Sequence, residues 1–244
     1  MFSIFNKKSS FRIGEILQVD MHSHILPGID DGAPDVETSL RLIDGLIAMG
    51  YRKLIATPHI ISDIHPNTPE TIGAARQLLQ EELDKKGYTI PISYAAEYML
   101  DENFLPLIKA GKLLTFGNNI VLVETMFLET PPNLEDILFQ LQTNGYQPLL
   151  AHPERYHYVD KNLTRLNPFR DRNCLLQTNA LSFTGYYGKR EQETAFRLLD
   201  AGLIDYIGSD MHHERHLEHL QRFTVSSKVA RQLESLNYKN LELR

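Results

Sequence analysis

The sequence contains a single cysteine, Cys174, so no internal disulfide can staple it. That usage suits a reducing compartment and sets the cytoplasm as the expected location. It lacks any run of lysine or arginine long enough to follow a phosphate backbone, and its formal charge is −6. Nucleic acid is therefore not an expected partner, and a nuclease or polymerase-associated role is disfavoured. No apolar stretch is long enough to span a bilayer, and no h-region follows Lys7 and Lys8, so neither a membrane segment nor a signal peptide is expected. Walker A, G-x-G-x-x-G and Asp-x-Asp motifs are missing. A cysteine-based phosphatase needs an arginine closing the phosphate loop six residues after its thiolate, and Ala180 stands there instead.

Apolar residues make up 42% of the 244 residues and charged residues 23%, the usage of a chain with a compact core. The length suits one α/β barrel domain over residues 16–244, preceded by an N-terminal arm over residues 1–15. Phe2, Ile4 and Phe5 of that arm are expected to pack on the barrel or on another subunit of a homo-oligomer, with local docking preferred.

Short apolar runs alternate with segments of helical period, the pattern of βα units around a parallel sheet. Seven runs are read, at residues 16–20, 53–57, 92–96, 120–123, 148–151, 175–178 and 205–208. The spacing predicts a helix over 35–49, where Val36, Leu40, Ile43 and Ile47 share a face between Pro34 and Gly50. Thr68-Pro69-Glu70 opens a second helix. Leu134, Ile137, Leu138 and Leu141 stripe a third, and Ala195, Leu198 and Leu199 a fourth.

Nearly every apolar run ends in a residue able to bind a cation: His22 and His24, His59, Glu97, Glu124, His152, then Asp210 with His212. In a barrel of parallel strands these C-terminal ends open on one face. Around eight convergent N and O ligands exceed what one ion holds, so more than one metal is implied. The absence of thiolate favours Mn, with Zn or Fe as alternatives. A carboxylate must then bridge, for which Glu97 or Asp210 is the candidate. One of Asp30 and Asp31 is expected to face the metals while the other caps the helix near Pro34. Glu124 has the weakest spacing argument and could instead pair with an arginine. His65, His157, His213, His216 and His219 are read as solvent-facing or supporting residues.

A multinuclear site is best known for activating water against phosphate esters. Arg155 and Arg215, each three residues after a proposed ligand, are candidate phosphate clamps, with salt bridges to Glu154 and Glu214 as the bland alternative. Tyr156, Tyr158, Tyr186 and Tyr187 are read as loop anchors more readily than as an aromatic binding wall. Residues 61–68 are read as a lid restrained by Pro66 and Pro69.

Asp20-Met21-His22-Ser23-His24, Thr57-Pro58-His59, Ala151-His152-Pro153-Glu154-Arg155 and Ser209-Asp210-Met211-His212 resemble the polymerase-and-histidinol-phosphatase (PHP) superfamily. The stretch His22-Ser23-His24-Ile25-Leu26-Pro27-Gly28-Ile29-Asp30-Asp31-Gly32 is similar to its capsular-polysaccharide branch of manganese-dependent protein-tyrosine phosphatases. The resemblance runs from Val19 to Leu217. It implies a distorted seven-stranded (β/α) barrel with a trinuclear site at the C-terminal strand ends. By that resemblance one ion takes His22, His24, Glu97 and Asp210, a second Glu97, Glu124 and His152, and a third Asp31, His59 and His212. Arg155 and Arg215 match phosphate-binding arginines, and Asp31 or His212 is implied to assist proton transfer. The implied substrate is a phosphotyrosine cluster on a bacterial tyrosine kinase of capsule or exopolysaccharide export. A small-molecule phosphatase of the histidinol-phosphate kind and a non-catalytic metal-binding barrel are the alternatives.

Overall fold

The computed structural model describes residues 8–10, 12–236 and 238–244; Phe2, Ile4 and Phe5, expected to dock, lie outside them. In chain order the strands are β1 (Lys8–Ser10), β2 (Val19–Asp20), β3 (Lys53–Ala56), β4 (His59–Ile60), β5 (Ile92–Tyr94), β6 (Glu97–Met99), β7 (Ile120–Glu124), β8 (Gln147–Leu150), β9 (Leu175–Asn179), β10 (Tyr206–Gly208) and β11 (Thr224–Ser226). The helices are α1 (Ile13–Leu17), α2 (Val36–Ala48), α3 (Pro69–Lys85), α4 (Phe104–Ala110), α5 (Leu134–Thr143), α6 (Asn167–Asp171), α7 (Lys189–Asp200), α8 (Glu214–Gln221) and α9 (Ser227–Ser235).

Strands β2, β3 and β5 form one parallel ladder, and β4, β6, β7, β8, β9 and β10 a second. The two are halves of one curled sheet. Backbone bonds run across the gap from Ala95 N to Ala56 O (2.8 Å) and from Glu97 N to Pro58 O (3.0 Å), so β3 passes into β4 and β5 into β6. Pro58 interrupts the first of these because it has no N–H to give. The runs expected over 53–57 and 92–96 therefore do not end their strands: each strand kinks there and resumes at His59 or Glu97. A parallel bridge between Ser23 and Met211 joins the first strand region to the last. Outside this sheet, β1 pairs antiparallel with β11.

Strand residues alternate in destination as the two-residue period demands. Val121 and Val123 enter the core beneath the helices, while Ile120 and Leu122 join Met21, Ile55, Ala95, Leu149 and Tyr206 in a separate cluster on the concave side, floored by Phe116 and Leu243.

The start of the first βα unit differs from expectation. Ile13 and Leu17 bury one face of the short α1, and Gln18, at φ 58, reverses the chain, so only Val19–Asp20 remains extended. Helix α2 is capped by Asp35, which accepts from Thr38 N at 2.7 Å, and not by Asp30 or Asp31. Its buried face holds Leu40, Leu42, Ile43 and Leu46. Ile47 is exposed, because Leu42 and Leu46, four apart, take the inward stripe. Helix α3 starts with Pro69 behind a reciprocal Thr68–Thr71 cap.

Asn240, fully buried, holds the seam between β2 and β10: its Nδ2 donates to Val19 O (2.9 Å) and Ile207 O (2.8 Å), and its Oδ1 accepts from Ile207 N (3.0 Å). Asn240→Ala leaves those backbone groups without partners and is expected to lower unfolding free energy by roughly 2–4 kcal/mol in urea titration. A loss within about 0.5 kcal/mol would show that the seam does not depend on it.

Candidate metal centre

His22 and His24 leave β2 on the same side, with Ser23 between them turned away to donate to Ile55 O at 3.2 Å. Asp210 and His212 leave β10 in the same manner. The two pairs are zipped together by Asp210 N to His22 O and His24 N to Met211 O, both 2.8 Å. Gly208 permits this approach, since a Cβ there would lie 2.6 Å from His22 Cβ. One layer below, buried Asp20 accepts from Ser209 N (2.9 Å) and Ser209 Oγ (2.5 Å), fixing the residue before Asp210. Burial lifts the Asp20 pKa to about 6 against those hydrogen bonds.

The donors converge. His22 Nε2 and His24 Nε2 are 3.2 Å apart, and each lies 3.3–3.4 Å from Glu97 Oε2 and 3.4 Å from Asp210 Oδ1. His152 Nε2 is 3.0 Å from Glu97 Oε1. His59 Nδ1 is 3.2 Å from Glu97 Oε2 and 3.1 Å from Glu124 Oε1. Asp31 Oδ1 is 3.5 Å from both His59 Nε2 and His212 Nε2. Four overlapping groups result: His24, Asp31, His59 and His212; His22, Glu97 and His152; His22, His24 and Asp210; His59, Glu97 and Glu124. Separations near 3.3 Å are those of donors sharing one cation roughly 2 Å from each.

The residues fit such ions on further grounds. His24 Nδ1 is 2.8 Å from Asp30 Oδ2, and His22 Nδ1 is 2.9 Å from Gln177 Oε1. Each acceptor places the ring proton on Nδ1 and turns the Nε2 lone pair inward. His212 Nδ1 does the same toward Asp210 O at 2.9 Å. Among the described residues, three buried atoms facing this space, His59 Nδ1, Glu97 Oε2 and Glu124 Oε1, have no hydrogen-bond partner. Orphaned polar atoms each cost about 1–3 kcal/mol unless a ligand satisfies them. His152 (φ 33) and Asp210 (φ 52) also hold left-handed backbone that costs side-chain-bearing residues of order 1–3 kcal/mol.

Charge follows the same pattern. Burial opposes ionisation of Glu97 and Asp210, but His22 with His59 holds Glu97, and His22 with His212 holds Asp210, well below the carboxylate range. Burial likewise works against a charged His22, yet Glu97 and Asp210 raise it to about 9. Asp30, despite burial, is lowered to about 2 by His24. Asp31 is held well below the usual range by its hydrogen bond to His212. That makes it an anion at neutral pH.

Asp30 and Asp31 thus divide their work differently from expectation. Asp31 faces the imidazoles, and Asp30 holds His24 while also accepting from Gly32 N (3.0 Å) and His59 N (3.2 Å). Glu124 stands among the converging donors and, among the described residues, pairs with no arginine. Arg155 does enter the cavity, with Nη1 donating to Asp210 Oδ2 at 3.0 Å and its guanidinium 4.6 Å from the Tyr187 ring and 5.1 Å from Phe127. Glu154 is not its partner: buried, it accepts from Asn179 N (2.9 Å) and Ser182 Oγ (2.6 Å). Arg215 stands elsewhere. On α8 the buried positions are His216, Leu217 and Leu220, which turns Arg215 outward over Tyr186 (5.9 Å) into a neighbouring cleft with His219 and Arg222. Glu214 pairs with Arg41, not Arg215.

Of the remaining histidines, His65 stacks on His59 at 5.6 Å, His213 caps α8, and His216 lies 3.1 Å from Asp210 O, burial pushing its pKa down to about 3. Tyr156 and Tyr158 are anchors: Tyr156 accepts from Thr125 N (3.2 Å), and Tyr158 bonds Thr125 Oγ1 (2.8 Å). Sequence reasoning overlooked Gln177 and Asn179. Gln177 Nε2 donates to Asn179 Oδ1 (2.8 Å), and Asn179 Nδ2 to Asp210 Oδ2 (2.6 Å). Two amides alternating by two inside an apolar run were the available signal.

The cavity above these donors has a volume of about 500 Å³. A curled parallel sheet flanked by helices, with imidazoles and carboxylates gathered at one end, defines a mixed α/β fold with a candidate metal site. A family model described as capsular polysaccharide synthesis, CpsB/CapC, matches residues 18–238. The chain belongs to that family. It is 30% identical over 195 residues to tyrosine-protein phosphatase YwqE of Bacillus subtilis (strain 168), covering 80% of this chain and 77% of that protein. It is 26% identical over 195 residues to the putative tyrosine-protein phosphatase CapC of Staphylococcus aureus, covering 80% and 76%. Its structure superposes with a TM-score of 0.76 and 28% identity on one described as YwqE from Bacillus subtilis and CpsB from Streptococcus pneumoniae, unique metal-dependent tyrosine phosphatases, over 83% of this chain and 84% of that one. A more distant likeness to an amidohydrolase from Mycoplasma synoviae, at TM-score 0.51 and 12% identity over 98% of this chain and 92% of that one, concerns the fold alone.

Two outcomes are expected. A group raised from 6.5 to about 9, as His22 is, stabilises the metal-free fold fully below pH 6.5 and loses that contribution as pH climbs toward 9. Metal binding needs the neutral ring and strengthens over the same window. In chelator the thermal midpoint should therefore fall between these pH values while the rise on adding Mn grows; a chelated midpoint that increases across the window would contradict this. Asp30→Asn, by loosening His24, should weaken Mn affinity roughly 10–100-fold in calorimetric titration. An unchanged affinity would remove Asp30 from the orienting shell.

Proposed function

We propose that this chain is a metal-dependent phosphomonoesterase acting on phosphotyrosine in a bacterial tyrosine kinase of capsule or exopolysaccharide synthesis. The supporting observation is the convergence of His22, His24, Glu97 and Asp210 on one point, joined to His59, Glu124 and His152 through Glu97. The names of the relatives agree with it. In this reading β3 with β4, and β5 with β6, each count as one strand, giving a distorted seven-stranded barrel over residues 16–244 with the metals at its C-terminal strand ends. The loaded metal is Mn, in about two or three ions shared among His22, His24, Asp31, His59, Glu97, Glu124, His152, Asp210 and His212. The enzyme works in the cytoplasm; among the described residues no helix is long and apolar enough to cross a membrane.

When bound, the cations supply Lewis acidity that activates water and neutralises phosphoryl charge. The protein's residues do the positioning. Arg155, fixed by Asp210 and stacked between Phe127 and Tyr187, offers its remaining N–H donors to the equatorial oxygens of the transferring group. Asp31, ionised, serves as a ligand and not as an acid. The leaving phenolate needs little help, since its pKa of about 10 lies far below that of an alkoxide. The cavity mouth favours a protein substrate over a small ester of the histidinol-phosphate kind: its rim carries exposed Ile64 and Met126.

With Mn added, kcat/KM on a phosphotyrosine peptide should exceed that on histidinol phosphate. Arg155→Lys, which keeps charge but loses the fork and both ring contacts, should lower it by about 10–100-fold. His152→Ala should abolish most turnover. Preference for the amino-alcohol ester, or hydrolysis indifferent to His152→Ala, would overturn the assignment.

A further inference from the structure

Among the described residues, Ile64, Met126, Phe127 and Leu128 are four of the seven large hydrophobic side chains that stand exposed, at 69%, 63%, 40% and 73%. Ile64, Met126 and Phe127 line the catalytic cavity from two different loops. Exposed apolar side chains gathered at a concave site mark a binding surface more than chance does.

Neither loop is loose. The expected lid over 61–68 is a hydrogen-bonded wall: Ile61 and His65 exchange backbone bonds (3.0 and 2.9 Å), Ser62 Oγ donates to Asp101 Oδ2 (2.6 Å), and Asn67 Nδ2 donates to Ile29 O (2.7 Å) and His59 O (3.0 Å). In the second loop, Thr125 Oγ1 donates to Met126 O (3.2 Å), and His157 N donates to Phe127 O (2.7 Å). Both loops are fixed by polar contacts behind them; Ile64 and Met126 stand exposed, and Phe127 keeps 40% of its surface free while resting against Tyr156 and Arg155. Such a surface is organised before a ligand arrives, which reduces the ordering cost of binding. It also continues past the cavity. Met99 and Met126 are shared with an adjoining cleft of similar size, about 510 Å³, bounded by Leu100, Glu129, Pro131 and Pro132.

We infer that the rim formed by Ile64, Met126 and Phe127 is a docking platform for the polypeptide that carries the phosphotyrosine, with that polypeptide leaving the cavity across Met126 into the adjoining cleft. The inference rests on the phosphatase reading and adds where the substrate chain runs. The cavity holds the phosphate and ring, whereas the platform and cleft hold apolar residues flanking the tyrosine. Two separate loops contribute, so contact is expected over several residues rather than with the ring alone. The flexible thioethers of Met99 and Met126 suit flanks of varied shape.

The test compares a phosphotyrosine peptide of about ten residues with free phosphotyrosine, using Mn-loaded wild-type protein and the I64S/M126S double variant. Both positions are exposed, so the fold should tolerate the change, and an unaltered thermal midpoint checks it. The platform predicts that KM for the peptide rises roughly tenfold, the factor equivalent to 1.4 kcal/mol, while KM for free phosphotyrosine moves less than about twofold and kcat for both is kept. Equal changes for the two substrates would confine the rim to the ring and overturn the polypeptide path. Unchanged KM for both, with a shift in solution mass on substitution, would make the patch a contact between copies and also overturn it. Wild-type protein that hydrolyses neither substrate would instead sink the underlying phosphatase reading.

Discussion

The arrangement depends on one electrostatic conflict: two imidazole nitrogens, His22 Nε2 and His24 Nε2, are held 3.2 Å apart with the Glu97 and Asp210 carboxylates against both. The ring protons sit on the far nitrogens, drawn there by Gln177 and Asp30. Lone pairs then face one another across a buried space, which is unfavourable unless positive charge enters it. Without a cation the conflict is relieved by protonation, as the elevated pKa of His22 records. A cation between these four residues would relieve it in the same way.

The rest of the fold serves to maintain that conflict. Parallel strands deliver the donors, and backbone bonds between His22, His24, Asp210 and Met211 lock the first and last strand ends in register. Asp20 and Ser209 brace the layer beneath, and Asn240 holds the seam lower still. Left-handed backbone at His152 and Asp210, together with buried atoms lacking partners, places destabilising features at the same few residues. Concentration of strain at a site, repaid by ligand binding, is how stability and function commonly trade. Arg155 shows the same economy of placement, since Asp210 is both a donor to the centre and the anchor of the guanidinium.

How much of this was legible in the sequence varied with the physical reach of each signal. Polar residues closing apolar runs are visible because a βα unit writes its strand end locally, so position alone singles out His22, His24, His59, Glu97, Glu124, His152, Asp210 and His212, whose side chains the fold gathers together. Asp30 and Asp31 could not be separated, because a Gly-bounded loop has no period to say which side chain turns inward. Arg215 lies outside the cavity for a related reason: three-residue spacing from His212 does not fix which face of α8 it takes, and the buried stripe belongs to His216, Leu217 and Leu220. Gln177 and Asn179 were legible in principle and passed over. The kinked strands were not, since Thr57-Pro58 and Ala95-Ala96 read as strand endings until the backbone bonds that cross them are seen. The apolar rim was hidden as well, because Ile64, Met126 and Phe127 belong to separate loops that only the fold brings to one mouth.

Whether these donors share cations is decided by anomalous diffraction from Mn-loaded crystals. Peaks are expected in about two or three positions, one of them lying between His22, His24, Glu97 and Asp210 and the others reached through Glu97 and through Asp31. Density confined to the protein surface, or a centre that stays without metal while those four residues hold their present separations, would contradict such sharing.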